Sequence, residues 1–341
     1  MGGYGRGGAE GGLGAGRGRA TRLARVNAQP TALARLRSFE LSPPSFLAIA
    51  LAELTALWLI VATGAAVRLT DSGLGCRHWP GCEAGHPLPE KDAHAFVEFG
   101  NRLVGGVTIA LTLLGWLAAS RTPGLARGAR RLALAVFLGT LAQAPIGLLA
   151  VKTDLRWPIV VVHLLLSMLL VAGAVALALE ARGLEEGHVP PLVPRELRLL
   201  ALAFTTAGLL LVVSGSLATA AGPHSGGGKE AVGRFARLEP TVYAHAVVVG
   251  VFLCSLLFSL GYLAARRERS PRLFALGLAV LGLLLLQMGI GELQWRTHLP
   301  WGIVLVHVAL AATVWAATVA LAVLFWRPLR LLAPNVGFGD G

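Results

Sequence analysis

The chain is 341 residues long, 55% hydrophobic and 14% charged, with a mean hydropathy of +0.67. A soluble domain carries roughly 25% charged residues, so these values exclude an ordinary soluble domain and indicate a polytopic membrane protein. The net charge of +12 does not point to nucleic acid, because the arginines sit in the N-terminal tail and in short loops between apolar runs, where they signal topology.

Residues 1–45 open with a Gly- and Arg-rich stretch, MGGYGRGGAE through RGRATRLARV. It lacks the apolar core of a secretory signal and buries too little surface to fold. It reads as a disordered basic cytoplasmic tail that fixes orientation; a transit peptide is the alternative. Eight runs follow that are long enough to cross hydrocarbon as helices: 46–67, 97–119, 131–151, 158–180, 197–220, 241–265, 272–292 and 301–326. Arg121, Arg127, Arg130 and Arg131 lie between runs 2 and 3, and Arg182, Arg195 and Arg198 between 4 and 5. Arg266, Arg267, Arg269 and Arg272 lie between 6 and 7, and Arg327 and Arg330 follow run 8. All share the side of the basic N-terminus, which places both termini of this multi-pass cell-membrane protein in the cytoplasm.

The expected fold is therefore all-α. A four-helix half at 46–180 and another at 197–326 are joined by a cytoplasmic linker at 181–196, with a cytoplasmic tail at 327–341. An even number of helices per half makes the halves parallel repeats. The repeat is visible directly. Gln143–His163, QAPIGLLAVKTDLRWPIVVVH, returns as Gln287–His307, QMGIGELQWRTHLPWGIVLVH, with 11 of 21 positions identical at an offset of 144 (307 − 163). That density without gaps is an internal duplication.

Each copy ends in a histidine inside an apolar run, His163 and His307, about five or six residues below the outer surface, or roughly 8–9 Å at 1.5 Å per residue. His245, in TVYAHAVVVG, lies at similar depth; subtracting 144 gives Asn101, in VEFGNRLVGG. An intramembrane histidine is costly unless partnered. Two at matched depth on bundle helices suit the axial positions of a haem. The plainer reading is a histidine hydrogen-bonded to backbone or hydroxyls. Zinc is disfavoured because no Cys or carboxylate shares their depth. Glu98 precedes Asn101 by three residues and has Arg102 beside it. Acid/base or proton-relay work is one reading, and a structural ion pair with Arg102 is the other.

The first outer loop reads GAAVRLTDSGLGCRHWPGC from Gly64 to Cys82. Its cysteines, Cys76 and Cys82, stand where a small disulfide ring could close in an oxidising compartment, and a redox-active pair is an alternative. Cys254, within run 6, is expected to be a small core residue. His78, His86 and His94 show no metal-ligand spacing.

That loop, with VEFGNR, the histidine of run 4 and the later AAGPHSG, YAH and VLVH, resembles the haem A synthase family, bacterial relatives of the mitochondrial cytochrome-oxidase assembly enzyme. The resemblance spans about residues 45–326. It implies two pseudo-symmetric halves, with haem b as cofactor held by His245 and His307. The N-terminal half would oxidise the C8 methyl of haem O to the formyl of haem A, by successive hydroxylation and loss of water. It maps the family glutamate to Glu98 and the outer cysteines to Cys76 and Cys82. Asn101 replaces a histidine, so the substrate haem is expected to be five-coordinate through His163. Arg68 and Arg102 are candidates for the haem carboxylates, or else interface anchors. Implied partners are haem O synthase, oxidase assembly factors and membrane lipid. The rival readings are a haem b electron-transfer protein, which would need two equivalent histidine pairs, and a haem carrier, which would not need Glu98.

Overall fold

A computed structural model of the chain describes residues 1–2, 40–76, 78–83, 85, 88–89, 92–224, 226, 235–268 and 270–333. The sequence expectations for residues 3–39, His86, Arg269 and 334–341 lie outside the described residues. Glu40 onward contains eight long helices: α1 (Pro43–Leu69), α2 (Ala93–Arg121), α3 (Arg127–Lys152), α4 (Trp157–Glu186), α5 (Arg195–Ala221), α6 (Leu238–Ala265), α7 (Pro271–Arg296) and α8 (Trp301–Trp326). All eight are long and apolar enough to cross a membrane. The chain is thus an all-helical, multi-pass membrane protein.

Local chemistry sets the helix ends. Pro43 opens α1, where its missing N–H costs nothing, and Ser42 Oγ accepts from the Ser45 amide at 3.4 Å. Asp92 caps α2 by accepting from the His94 amide at 3.1 Å. α4 runs to Glu186, beyond the end of its apolar run at residue 180, because Arg182 pairs with Glu185 and Glu186 one turn on. It stops at Gly187, whose φ of +82° suits glycine.

The duplicated segment folds twice into the same turn. Asp154 and Leu155 between α3 and α4 have φ of +52° and +56°, and His298 and Leu299 between α7 and α8 have +62° and +60°. The Leu155 amide reaches Ala150 O at 2.8 Å, and the Leu299 amide reaches Gln294 O at 2.7 Å. Thr153 and Thr297 hydroxyls each bond the carbonyl four residues back at 2.8 Å. Non-glycine residues in this left-handed region persist only where their surroundings fix them, and the repeated bonds do so.

Packing joins α1–α2, α2–α3, α3–α4 and α4–α1 in one ring, and α5–α6, α6–α7, α7–α8 and α8–α5 in another. Among the described residues, α2 and α4 sit on a diagonal without packing on each other, as do α6 and α8. α1 and α4 meet α8, and α4 also meets α5. Leu57, Val61, Met168, Val171, Ala312 and Trp315 form that shared core. Trp315 Nε1 donates to Met168 O at 2.8 Å, and Trp58 Nε1 to Thr313 Oγ1 at 3.0 Å. Between apolar helices such bonds and small residues replace the missing hydrophobic drive. Where α4 and α8 end, Arg327 forms an ion pair with Glu180, and Val189 N donates to Pro328 O at 3.0 Å.

Cys254 is a correction. It is exposed, not a core residue. It shares the outward stripe of α6 with Val247, Val251 and Phe258, which are also exposed; spacings of three and four residues put all four on one face.

Candidate functional site

Four helices contribute to each candidate pocket, and the contributions repeat. On α5, Ser214 Oγ and His245 Nδ1 share a hydrogen bond of 2.9 Å. Next to it is Gly215, where a Cβ would stand 3.1 Å from His245 Cε1. On α7, Gln287 Nε2 donates to the His307 carbonyl at 3.0 Å. One turn on is Gly291, where a Cβ would stand 3.0 Å from His307 Cε1. Each imidazole therefore lies against a bare stretch of backbone. His307 stands six residues past Trp301 and His245 seven past Leu238 (307 − 301 and 245 − 238), so their depths match.

The first ring repeats the arrangement, with Thr63 in the place of Ser214 and Asn101 in the place of His245. On α1, Thr63 Oγ1 donates to Asn101 Oδ1 at 2.8 Å, with Gly64 beside it. On α3, Gln143 Nε2 donates to the His163 carbonyl at 3.1 Å and to Ser167 Oγ at 2.8 Å. A Cβ on Gly147 would be 3.9 Å from His163 Cε1. His163 is six residues past Trp157. Thus Asn101 stands in the first ring as His245 stands in the second.

Glu98 is 4% exposed and has both oxygens engaged. Oε1 pairs with Arg102 Nη2 at 2.5 Å, and Oε2 accepts from the Cys76 amide at 2.7 Å. Arg102 Nη1 donates to His78 O at 2.7 Å and to Gly81 O at 2.6 Å. The carboxylate thus holds the loop at one end and its arginine at the other. Cys76 and Cys82 are disulfide-bonded and buried, at 3% and 0% exposure. Ala95 and Phe99 of α2 pack on them. Arg68 donates from Nε to His224 O and from Nη2 to Thr219 O, both at 3.0 Å. It thereby ties the end of α1 to the end of α5. His224 in turn bonds Leu299 O at 2.9 Å, and His94 bonds Ser72 Oγ at 3.0 Å.

Sequence reasoning missed Thr63, Ser214, Gln143 and Gln287 as partners of the site residues. The two glutamines were visible as identical positions of the repeat, and a hydroxyl-Gly pair in both α1 and α5 was a further signal. It also missed Glu53, in the middle of α1. This residue is 1% exposed, with neither carboxyl oxygen bonded to a described residue. It sits in the notch of Gly115 on α2, where any Cβ would collide with Oε2. A lone acid inside LAIALAELTALWLIV was the available signal.

The second ring fits a haem. Its two imidazoles are at one depth on diagonal helices, glycines let the backbone pack close against them, and His307 Nδ1 is buried without a hydrogen-bond partner among the described residues. The family model for cytochrome oxidase assembly proteins (COX15-CtaA) matches residues 48–226. A haem A synthase of Shewanella oneidensis is 27% identical over 315 residues, covering 79% of this chain and 93% of its own. One of Lysinibacillus sphaericus is 30% identical over 177 residues (49% of this chain, 56% of its own), and one of Symbiobacterium thermophilum 37% over 107 (30% and 34%). Matched by that model over more than half of its length, the chain belongs to the cytochrome oxidase assembly protein family.

Proposed function

We propose that the chain is a haem A synthase, a membrane oxidoreductase that converts haem O into haem A for cytochrome oxidase assembly. The observation that carries this reading is the inequality of two otherwise repeated pockets: His245 with His307 in one, Asn101 with His163 in the other. An electron-transfer protein has no use for that inequality. A synthase does, because a resident haem must be held fast while a substrate haem must enter, react and leave.

In this reading His245 and His307 hold haem b, which when bound supplies one-electron transfer. Ser214 fixes the Nδ1 side of His245, so Nε2 is the atom presented to iron. Haem O binds in the half formed by 46–180, with His163 as its protein ligand. Asn101, a weak ligand, stays held by Thr63. Glu98 has about four lone-pair sites, of which the Cys76 amide and Arg102 take two. A further lone pair remains to hold the proton released as the substrate methyl is oxidised, or to stabilise positive charge developing on its carbon. Arg68 and Arg102 offset the haem carboxylates from anchored positions. The disulfide shapes the loop above the substrate. The arginine bias supports a cell-membrane location with both termini cytoplasmic and the Cys76 loop outward.

The test is extraction of haem from cells that co-express the chain with a haem O synthase. Haem A in the extract is expected. Haem O alone, with haem b bound to the purified protein, would instead favour electron transfer or haem carriage.

A further inference from the structure

The duplication repeats a hydrogen-bonding pattern that the haem reading does not itself use. In each ring a glutamine one helix away pins the carbonyl of the histidine, Gln143 on His163 and Gln287 on His307. In each ring the same two atoms are left over. Gln143 Oε1 and His163 Nδ1 are buried without a partner among the described residues, and so are Gln287 Oε1 and His307 Nδ1. A buried amide oxygen and a buried imidazole nitrogen each cost free energy when unpaired. They are chemically complementary once the imidazole carries its proton on Nδ1. Two independent copies leave the same complementary pair, so chance placement of one amide is a poor explanation. The third histidine, His245, already has its Nδ1 bonded by Ser214.

We propose that Gln143 and Gln287 are positioning residues, each taking the Nδ1–H of its histidine on Oε1, directly or through one water, and so presenting Nε2 to iron. This rests on the reading of His307 as a haem b ligand and His163 as the substrate-haem ligand. The amide does two things at once. Through Nε2 it fixes the height of the helix carbonyl, and through Oε1 it fixes the tautomer and rotation of the ring. Gly291, one turn further along, leaves space for the His307 ring in the orientation so fixed, whereas a Cβ at Gly147 would make only ordinary contact with His163. An acceptor on Nδ1–H makes the imidazole a stronger donor, which favours ferric over ferrous iron.

The experiment uses the full-length, haem-loaded protein in detergent and reads the reduction potential of haem b and its retention. Ser214→Ala serves as the reference, because it removes a direct Nδ1 bond. Gln287→Leu is expected to raise the potential in the same direction as Ser214→Ala and to weaken haem b retention about 10-fold or more. Gln287→Met, close to it in volume, gives the same answer should Gln287→Leu fold poorly. Gln143→Leu should leave the haem b potential unchanged and weaken haem O binding. A wild-type potential in a folded Gln287 variant, with Ser214→Ala shifted, overturns the proposal. Absence of bound haem b from the wild-type protein would instead overturn the ligand assignment on which it rests, so the two failures are distinct.

Discussion

Gly75→Ala tests the coupling of the disulfide loop to Glu98. A Cβ at Gly75 would lie 2.6 Å from the His94 carbonyl carbon and 2.7 Å from the Ala95 amide nitrogen. Both are backbone atoms in the first turn of α2, so no side-chain rotation relieves the collision. Restoring ordinary contact at 3.4 Å moves the loop by about 0.8 Å (3.4 − 2.6). The next residue donates the 2.7 Å bond from Cys76 N to Glu98 Oε2. A shift of that size stretches it towards the limit of hydrogen bonding. Loss of a hydrogen bond to a charged group costs about 1.5–3 kcal/mol, and overpacking adds about 1–3 kcal/mol. The docked loop should therefore be destabilised by about 3–5 kcal/mol, or at least about 100-fold in its opening equilibrium. Cys76 and Cys82 are buried, so a thiol reductant reaches them only when the loop opens. The assay is the rate of reduction of the disulfide in folded, detergent-solubilised protein, with haem A yield measured alongside. An increase of about 100-fold in rate is expected, with a fall in haem A. Wild-type reduction kinetics would refute the claim that Gly75 lets the loop seat on Glu98.

Glu98→Gln should lower conversion of haem O by about 100-fold or more while haem b stays bound, as read by haem extraction beside the absorption spectrum; haem A at the wild-type rate would leave the carboxylate a purely structural role. His245→Ala and His307→Ala should each remove the low-spin haem b spectrum of the purified protein, and a full-intensity signal in both would sink the ligand assignment. Gly291→Ala brings a Cβ to 3.0 Å from His307 Cε1, whereas Gly147→Ala leaves 3.9 Å to His163. The first should weaken haem b retention by about 5- to 150-fold, from an overpacking cost of about 1–3 kcal/mol, and the second should be tolerated by its own haem. Asn101→His should give the substrate haem a six-coordinate, low-spin spectrum, and an unchanged spectrum would place residue 101 away from the iron.

The eight helices were legible because a spanning run declares itself by length and apolarity alone. The repeat was legible because Gln, Gly, Thr, Leu, Trp and His recur at one offset. The paired left-handed turns at Asp154–Leu155 and His298–Leu299 explain part of that recurrence, although neither position carries the glycine that would have announced such a turn. Partners across helices were not legible. The hydroxyl-Gly pairs of α1 and α5 mark two positions, but the order of residues does not pair Thr63 with Asn101 or Ser214 with His245, since both bonds depend on helix rotation. Cys254 was misjudged for the same reason, because apolarity does not say which face of a lipid-bathed helix points inward. The Glu98–Arg102 pair was legible from the i, i+4 spacing. Its grip on Cys76, His78 and Gly81 was not, because loop paths are set by tertiary contacts.

Glu53 deserves a place in any attempt to engineer this protein for heat tolerance. A buried polar side chain left without a hydrogen bond costs about 1–3 kcal/mol, and no described residue offers Glu53 one. Methionine or leucine would fill much the same volume against Gly115 without that desolvation. Apolar replacement of an unsatisfied buried polar group removes its desolvation penalty, and the recurrent drawback of stabilising substitutions is lost activity. In a library of single variants ranked by melting temperature, residue 53 should therefore stand near the top, and any stabilised variant that no longer makes haem A would mark the carboxyl as a working group.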